Sequence, residues 1–548
     1  MASGVLQAAR RPLATISGRP GWRSAVPGVA LAALVAVLLR IPFVGRPAFP
    51  DESGFLLVAR NWHSGGSALY GDIWLDRPPL LIAFWWLADL LGGVEAARWL
   101  GCLVVAGTVI AAGWAGWLIS ERRGAYWASA TTAAMLATPM IATHEINGEI
   151  LAAPFVMIGC ALTLTIARRT WSPRVDALVA ASAGVIAMCA VLIKQNFVDA
   201  LVFATVLLIV SGVRAELPWR RVRHLFGWGV IGAAVPTIVT VWWALASGHS
   251  VNDLWYAMYG FRSDAFEVIA SQSLSAPIDR FWRLLGVAII SGILVVSLRY
   301  VAVLRRLARR DSALTFAIAT MLAIGYAAML AGGSYWLHYL IGLVPVIALV
   351  AAHLAGGAAR IGWSRAALAV VLASAAITAG TSMTTDALAE DPTEKAVKAY
   401  LSAESGSDDT AVVAYGHANL IEASGLEPGY RNLWSLPMRV HDPDLDHMVA
   451  RLSASEAPTW FIGWNPLNSW GIDEDGQLEQ TLSDRYREVA SICGVEIYLH
   501  AGVERDLASP PDVACPDTAY RFLCCLGAAR TCARSPCLPT RLRNSTGP

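Results

Sequence analysis

Charge is scarce in this chain: Asp, Glu, Lys and Arg make up 15% of its 548 residues, against roughly 25% in soluble domains. That shortage excludes the string of ordinary soluble domains, at about 150 residues each, that the length alone would suggest. Lysine is almost missing. Lys194, Lys395 and Lys398 are the only three, so arginine supplies nearly all the positive charge. A net charge of +1 lacks the excess of positive charge that a general nucleic-acid binder uses, and no nucleic-acid partner is expected. Cysteine is sparse until the end, where Cys515, Cys524, Cys525, Cys532 and Cys537 account for five of nine.

The composition is apolar instead, with 56% hydrophobic residues, 22 tryptophans and a mean hydropathy of +0.50. Runs of ~17–25 apolar residues are long enough to cross a ~30 Å hydrocarbon core as helices. Such runs lie at about 28–44, 96–119, 125–142, 150–167, 175–193, 196–212, 225–246, 283–304, 313–331, 338–354 and 365–382. The expected fold is therefore an α-helical polytopic membrane protein of about 11 spans, with its termini on opposite sides. Arg10, Arg11, Arg19 and Arg23 precede the first run and no small-residue cleavage site follows it, so that run is expected to stay as an anchor.

Basic loops fix sidedness. With a cytoplasmic N-terminus, the inside loops hold Arg122 and Arg123; Arg168, Arg169 and Arg174; Arg214, Arg220, Arg221 and Arg223; Arg305, Arg306, Arg309 and Arg310; and Arg360 and Arg365. The outside loops hold only Arg46, Arg60, Arg77, Lys194, Arg262 and Arg280. The alternation requires that Pro79–Leu91 does not cross. It is too short, starts with Pro-Pro and contains Asp89, and is expected to lie at the interface with Trp85 and Trp86 at headgroup depth.

After Thr384 the pattern changes. Strand-like pieces at 411–415, 460–464 and 495–499 and helix-like pieces at 393–403 and 444–452 predict a small extracytoplasmic α/β domain over 385–504, following a transmembrane domain over 1–384. The Cys- and Pro-rich stretch 505–548 has no periodic pattern and no zinc-site spacing. It is read as a disordered tail or an altered reading frame, ahead of a disulfide-rich or metal-binding segment.

The unusual polar residues gather in the outside loops. The first loop, Arg46–Val94, opens on Asp51-Glu52 and continues through Arg77-Pro78-Pro79-Leu80. Ionised carboxylates are costly to desolvate near a membrane, and an arginine fork at headgroup level suits a lipid phosphate. A solvated loop start and a snorkelling arginine are the plain alternatives. The second loop, Thr143–Glu149, holds His144, Glu145, Asn147 and Glu149; Glu145 and Glu149 would share a face if the segment were helical, and a hydrophilic turn is its plain reading. Lys194-Gln195-Asn196 and Ser334–Tyr339, with His338 and Tyr339, complete the set. Carboxylates, a cation at phosphate depth and an apolar groove suit group transfer from a lipid-phosphate carrier. A base takes the proton of an attacking hydroxyl and cations stabilise the phosphate leaving group.

An N-in first helix, Asp51-Glu52 opening a long outside loop, and Arg77-Pro78-Pro79-Leu80 before an amphipathic helix resemble the GT-C glycosyltransferases. The branch is that of the protein O-mannosyltransferases and lipid A aminoarabinose transferases. Tyr335–Tyr339 followed by Pro345 is similar to a Tyr-x-x-His-Tyr…Pro segment of bacterial members. The resemblance covers about 28–500. It implies a polyprenyl-phosphate sugar as donor, an extracytoplasmic acceptor, and Asp51 as base or acceptor-orienting group with Glu52 beside it. It implies Arg77 at the donor phosphate, where members usually carry Lys, and Glu149, or else Glu145, as the second-loop acid. His338, Tyr339 and Lys194 are candidate substrate contacts. A divalent cation, Mg or Mn, is left open. The competing classes are a transporter or flippase of lipid-linked sugars, which would place polar groups at broken helices near the midplane, and a non-catalytic scaffold.

The sidedness predicts that a reporter active only outside the cytoplasm, fused after residue 390, is active. An inactive fusion contradicts the eleven-span topology.

Overall fold

The computed structural model of the protein describes residues 21–63, 69–272, 274–356, 361–384 and 389–515. Arg10, Arg11, Arg19, Arg360, Cys524, Cys525, Cys532 and Cys537 lie outside the described residues. In chain order the helices are α1 (Val26–Arg40), α2 (Pro50–His63), α3 (Pro79–Leu90), α4 (Val94–Ala137), α5 (Gly148–Arg168), α6 (Pro173–Ile193), α7 (Asp199–Val213) and α8 (Trp219–Ala246). They continue as α9 (Val251–Trp255), α10 (Phe261–Ser271), α11 (Ser275–Ile290), α12 (Ile293–Ala308), α13 (Ser312–Ala331), α14 (Val344–Ala355) and α15 (Ile361–Thr384). The C-terminal part runs α16 (Pro392–Glu404), β1 (Thr410–Val413), α17 (Ala418–Ala423), β2 (Glu427–Pro428), α18 (Ser435–His441), α19 (Asp446–Ser453), β3 (Trp460–Gly463), α20 (Gln477–Arg485), β4 (Tyr486–Ile492) and β5 (Val495–His500). The chain divides into two compact units, one comprising 1–46, 77–260 and 284–384, the other 47–76, 261–283 and the residues from 385 on.

The first unit is a multi-pass membrane bundle. Among the described residues eight stretches are long and apolar enough to cross a bilayer, and α11 with α12, counted as one span, makes a ninth. One of the eight is α4, whose 44 residues would reach about 66 Å as a straight helix, twice a ~30 Å core. It is a hairpin. Ser120 (φ −145°, ψ 34°) and Glu121 (φ 52°, ψ −144°) leave the helical region. A Cβ on Gly116 would lie 2.4 Å from the Gly124 carbonyl oxygen, whereas residues eight apart in a continuous helix are about 12 Å apart. The two arms are the expected runs 96–119 and 125–142, the second ending earlier, at Ala137, before Pro139.

One expectation needs correction here. The run 283–304 is not one straight crossing: α11 and α12 are bent by 68° around Gly292, whose φ of +80° suits a glycine and which packs against Val371 of α15. α3 is a short apolar helix as expected, with Trp85 fully buried in the protein and Trp86 38% exposed. The run 196–212 corresponds to α7, only 15 residues long.

The packing follows composition. α5 is buried over 83% of its apolar window and α8 over only 17%, so α5 is central and α8 presents Ile238 and Trp242 outward. What holds α8 is a close backbone approach to α6. A Cβ on Gly184 would meet Gly229 O at 1.9 Å, and one on Gly232 would meet Ala181 O at 2.0 Å, the small-residue packing that membrane helices use. The arginine-rich loops are tied together at one end. Arg168 bonds Asp311 at 3.1 Å and donates to Leu118 O; Arg221 bonds Asp176 at 2.9 Å and donates to Ile166 O at 2.9 Å.

The second unit carries a five-stranded sheet of order β2-β1-β3-β5-β4. β1 is parallel to β2 and β3, and β5 is antiparallel to β3 and β4. Val412, Met438, Met448, Leu452, Phe461, Leu478 and Leu482 form its core. The three expected strands and two expected helices are present; β2, two residues long, and β4, with Arg487 and Glu488 in mid-strand, were not anticipated. α2 packs on α17 and α10 on α18, so residues 47–76 and 261–283 belong to this unit. The start of the expected tail is tied back. Arg505 pairs with Asp409 at 2.6 Å and Cys515 is disulfide-bonded to Cys493.

Candidate functional site

In the membrane unit, four of the residues singled out from sequence meet. The Asn147 side chain caps α5, its Oδ1 accepting the Ile150 N–H at 3.0 Å, so the helix starts at Gly148 and Glu149 falls in its first turn. There the helix dipole favours a carboxylate. Lys194 is the C-cap of α6, lying against Gly148, where a Cβ would meet the lysine stem at 3.2 Å. Its ammonium forms an ion pair with Glu149 Oε1. His338 Nε2, in the turn Leu337–Leu343, stands 3.8 Å from the same oxygen, and Lys194 Nζ lies 5.5 Å from the Tyr339 ring centroid. Glu149 and Lys194 are 2% and 9% exposed. Glu149 Oε2 is buried with no partner among the described residues, an acceptor left open in a low-dielectric setting.

This group sits at the far end of the bundle from the arginine-rich loops. Glu149 opens α5 and Arg168 closes it, some 30 Å along the axis. Glu145 is not part of it. It precedes the helix, pairs with His144 at 3.1 Å, and does not share a helical face with Glu149, because Asn147 sets the helix start two residues too late. Arg77 lies just before α3 and is half-buried.

Sequence reading passed over three other buried polar groups of the bundle. Asp199, in the first turn of α7, is 5% exposed and its Oδ1 has no partner among the described residues. A carboxylate opening an apolar run is itself the signal that would have found it. Arg98 and Arg40 are also buried. Arg98 donates to the carbonyls of Phe43 and Val44 at 3.2 Å each and to that of Arg46; Arg40 donates to Leu136 O at 3.2 Å and to Thr143 O. Their five-donor forks satisfy backbone carbonyls where the chain leaves α1 and the second arm of α4.

In the second unit, Asp51 and Glu52 occupy the first turn of α2. Glu52 is fully buried and its Oε2 accepts the Phe49 N–H at 3.1 Å, the reach-back contact of a helix cap. Asp51 Oδ1 accepts the Trp434 Nε1–H at 2.8 Å. Trp434 is seated by Phe55, ring centroids 5.5 Å apart, and by Gly54, where a Cβ would fall 2.5 Å from the indole. Farther along, Asp76 pairs with Arg262, and Trp74 packs on Phe261 at 4.7 Å and His441 at 4.2 Å. Burial, helped by Arg431, holds the His441 imidazole below its ordinary range against the pull of Asp264 and Asp76. Burial opposes ionisation of Asp409, but hydrogen bonds from Arg505, the Gly406 N–H and Trp460 outweigh it and keep that carboxyl below the usual range. Trp434 and Arg262 were not anticipated, since neither is near its partner in sequence.

A divalent cation finds no group of three His, Cys, Asp or Glu side chains arranged to hold it among the described residues.

No family model and no curated protein sequence matches the chain. Its structure is similar to the crystal structure of ArnT from Cupriavidus metallidurans bound to undecaprenyl phosphate, with a TM-score of 0.57, 15% identity, and coverage of 88% of this chain and 99% of that one. It is also similar to the Archaeoglobus fulgidus oligosaccharyltransferase tethered with an acceptor peptide, with a TM-score of 0.50, 12% identity, and coverage of 85% and 72%. The chain has the GT-C fold, as its sequence features imply.

The buried pair gives a stability prediction. Lys194→Met strands the Glu149 charge and lowers unfolding stability by about 3–5 kcal/mol. Adding Glu149→Gln restores most of it. Thermal unfolding of the purified protein and its two variants checks this; losses that simply add contradict the pairing.

Proposed function

We propose that the protein is a membrane glycosyltransferase that moves a sugar, hexose or pentose, from a polyprenyl-phosphate donor to an extracytoplasmic acceptor in a cell-envelope glycan, lipid or protein. The observation that carries the reading is the buried Glu149–Lys194 pair with half-buried His338 and Tyr339 against it, at the end of a GT-C bundle away from its arginine-rich loops. The similar ArnT structure holds undecaprenyl phosphate, a ligand of the class proposed here.

Transfer breaks the bond between the sugar C1 and the phosphate oxygen and forms one from C1 to the acceptor oxygen. Negative charge grows on the phosphate as it leaves, and preorganised cations stabilise it most where water is excluded. Lys194, His338 and Arg77 are assigned to that phosphate. Glu149 holds Lys194 in place and offsets its charge. The acceptor hydroxyl gives its proton to Asp51, whose carboxylate is fixed through one oxygen by the Trp434 indole N–H, and general-base assistance requires that kind of fixed geometry. Glu52 supports Asp51 by capping the same helix. An oxocarbenium-like sugar between the two bonds follows by analogy with glycosidases.

The proposal has the N-terminus in the cytoplasm and the second unit outside the inner membrane. The arginine-rich end supports it through the positive-inside rule, and the Cys493–Cys515 disulfide fits an oxidising compartment. A transporter would be expected to line a broken helix near the midplane with polar or charged groups. The break at Gly292 packs instead against Val371, which disfavours that reading.

Asp51→Asn should lower kcat by about 100- to 10,000-fold with little change in donor KM, measured with labelled polyprenyl-phosphate sugars. Transfer at the parent rate by a folded Asp51→Asn protein removes the assigned base.

A further inference from the structure

At the arginine-rich end of the membrane unit lies a cavity of about 260 Å³ that the proposed transfer does not use. Arg123, Trp127, Leu354, Ala355, Ser364, Arg365 and Leu368 line it. Its walls are the second arm of α4 just after the hairpin turn, the last residues of α14 and the first turns of α15. α14 closes the 19-residue apolar stretch Leu337–Ala355, α15 opens another stretch long enough to cross, and Arg123 follows the turn between the two arms of α4, so the cavity sits at headgroup depth. Arg123 and Arg365 are exposed, and among the described residues neither has a carboxylate partner. Arg299 Nε donates to Ser364 Oγ at 3.2 Å, which brings a third guanidinium, likewise without a carboxylate, to the same wall. Arg168 and Arg221 at this end are paired with Asp311 and Asp176; what sets Arg123 and Arg365 apart from the other arginines here is that both line this cavity.

Two unneutralised guanidiniums lining one cavity, with a third bonded to its wall, call for an anion, and the planar forks of Arg123 and Arg365 match phosphate oxygens. The rest of the lining is apolar or amphipathic. Trp127, Leu354 and Leu368 offer glycerol and upper acyl carbons a surface beside the charged mouth, as basic pockets between membrane helices do for anionic headgroups. We infer that this cavity is a binding site for the phosphate headgroup of an anionic phospholipid in the leaflet at the arginine-rich end. It lies some 30 Å along the bundle from Glu149 and Lys194 and is independent of the donor site.

Native mass spectrometry of the full-length protein in mild detergent, titrated with phosphatidylglycerol or phosphatidylcholine, tests this. Phosphatidylglycerol should be retained, phosphatidylcholine should not, and Arg123→Gln/Arg365→Gln should weaken retention by about 30-fold. Arg123→Lys/Arg365→Lys, which keeps charge without the fork, should fall between, and the melting temperature reports whether each variant is folded. Equal retention by the folded Gln variant overturns the site, as does equal retention of the two lipids. Glycerol 3-phosphate and inorganic phosphate form the third arm. Binding of either at micromolar concentration, displacing the lipid, assigns the cavity to a soluble phosphate and overturns the lipid source.

Discussion

Placing an ionised side chain in a bilayer costs about 2.5–3.5 kcal/mol at mid-depth, and leaving it unpaired once buried costs more. Apart from Asp199, the buried charges described above answer to that constraint. Arg168 and Arg221 are paired with Asp311 and Asp176 at one end, and Arg40 and Arg98 turn their donors onto backbone carbonyls. At the other end Lys194 is neutralised by Glu149. That last pair differs from the rest in being surrounded by His338, Tyr339 and an acceptor oxygen without a partner among the described residues. A pair serving stability alone would be expected to have all its polar atoms satisfied. One that must open to receive a phosphate is better left partly unsatisfied.

The second unit solves a different problem, that of holding a carboxylate ready in a polar setting. Asp51 is in the first turn of α2, and the Trp434 indole fixes one of its oxygens. The indole in turn needs the missing side chain of Gly54. Glu52, next in sequence, is buried and caps the helix instead. Two adjacent acids therefore divide into a positioned carboxylate and a structural one, a division that side-chain burial decides.

Much of the architecture was legible because membrane helices announce themselves through length, hydropathy and loop arginines. What was not legible depended on backbone geometry or on distant partners. Four left-handed or non-helical positions illustrate the first. Glu121 reverses α4 within what looks like a loop, and Gly292 bends the α11–α12 span. Asn147 starts α5 late enough to separate Glu145 from Glu149, and Tyr335, with φ 52°, leads into the turn that carries His338. The convergence of Glu149, Lys194 and His338 belongs to the second kind. Each looked unusual in its own loop, but only packing of α5, α6 and the 337–343 turn shows them to be neighbours. Trp434 and Arg262 gave no local signal at all.

The account rests on cleavage of a lipid-phosphate donor, and the most direct measurement is the fate of that donor with purified protein in nanodiscs. A panel of labelled polyprenyl-phosphate hexoses and pentoses, incubated with an extract of cell-envelope acceptors, is separated by chromatography. The account predicts that one donor is consumed, with polyprenyl phosphate and a labelled acceptor appearing in equal amounts. Recovery of every donor intact, or its passage across a proteoliposome membrane without cleavage, would contradict it.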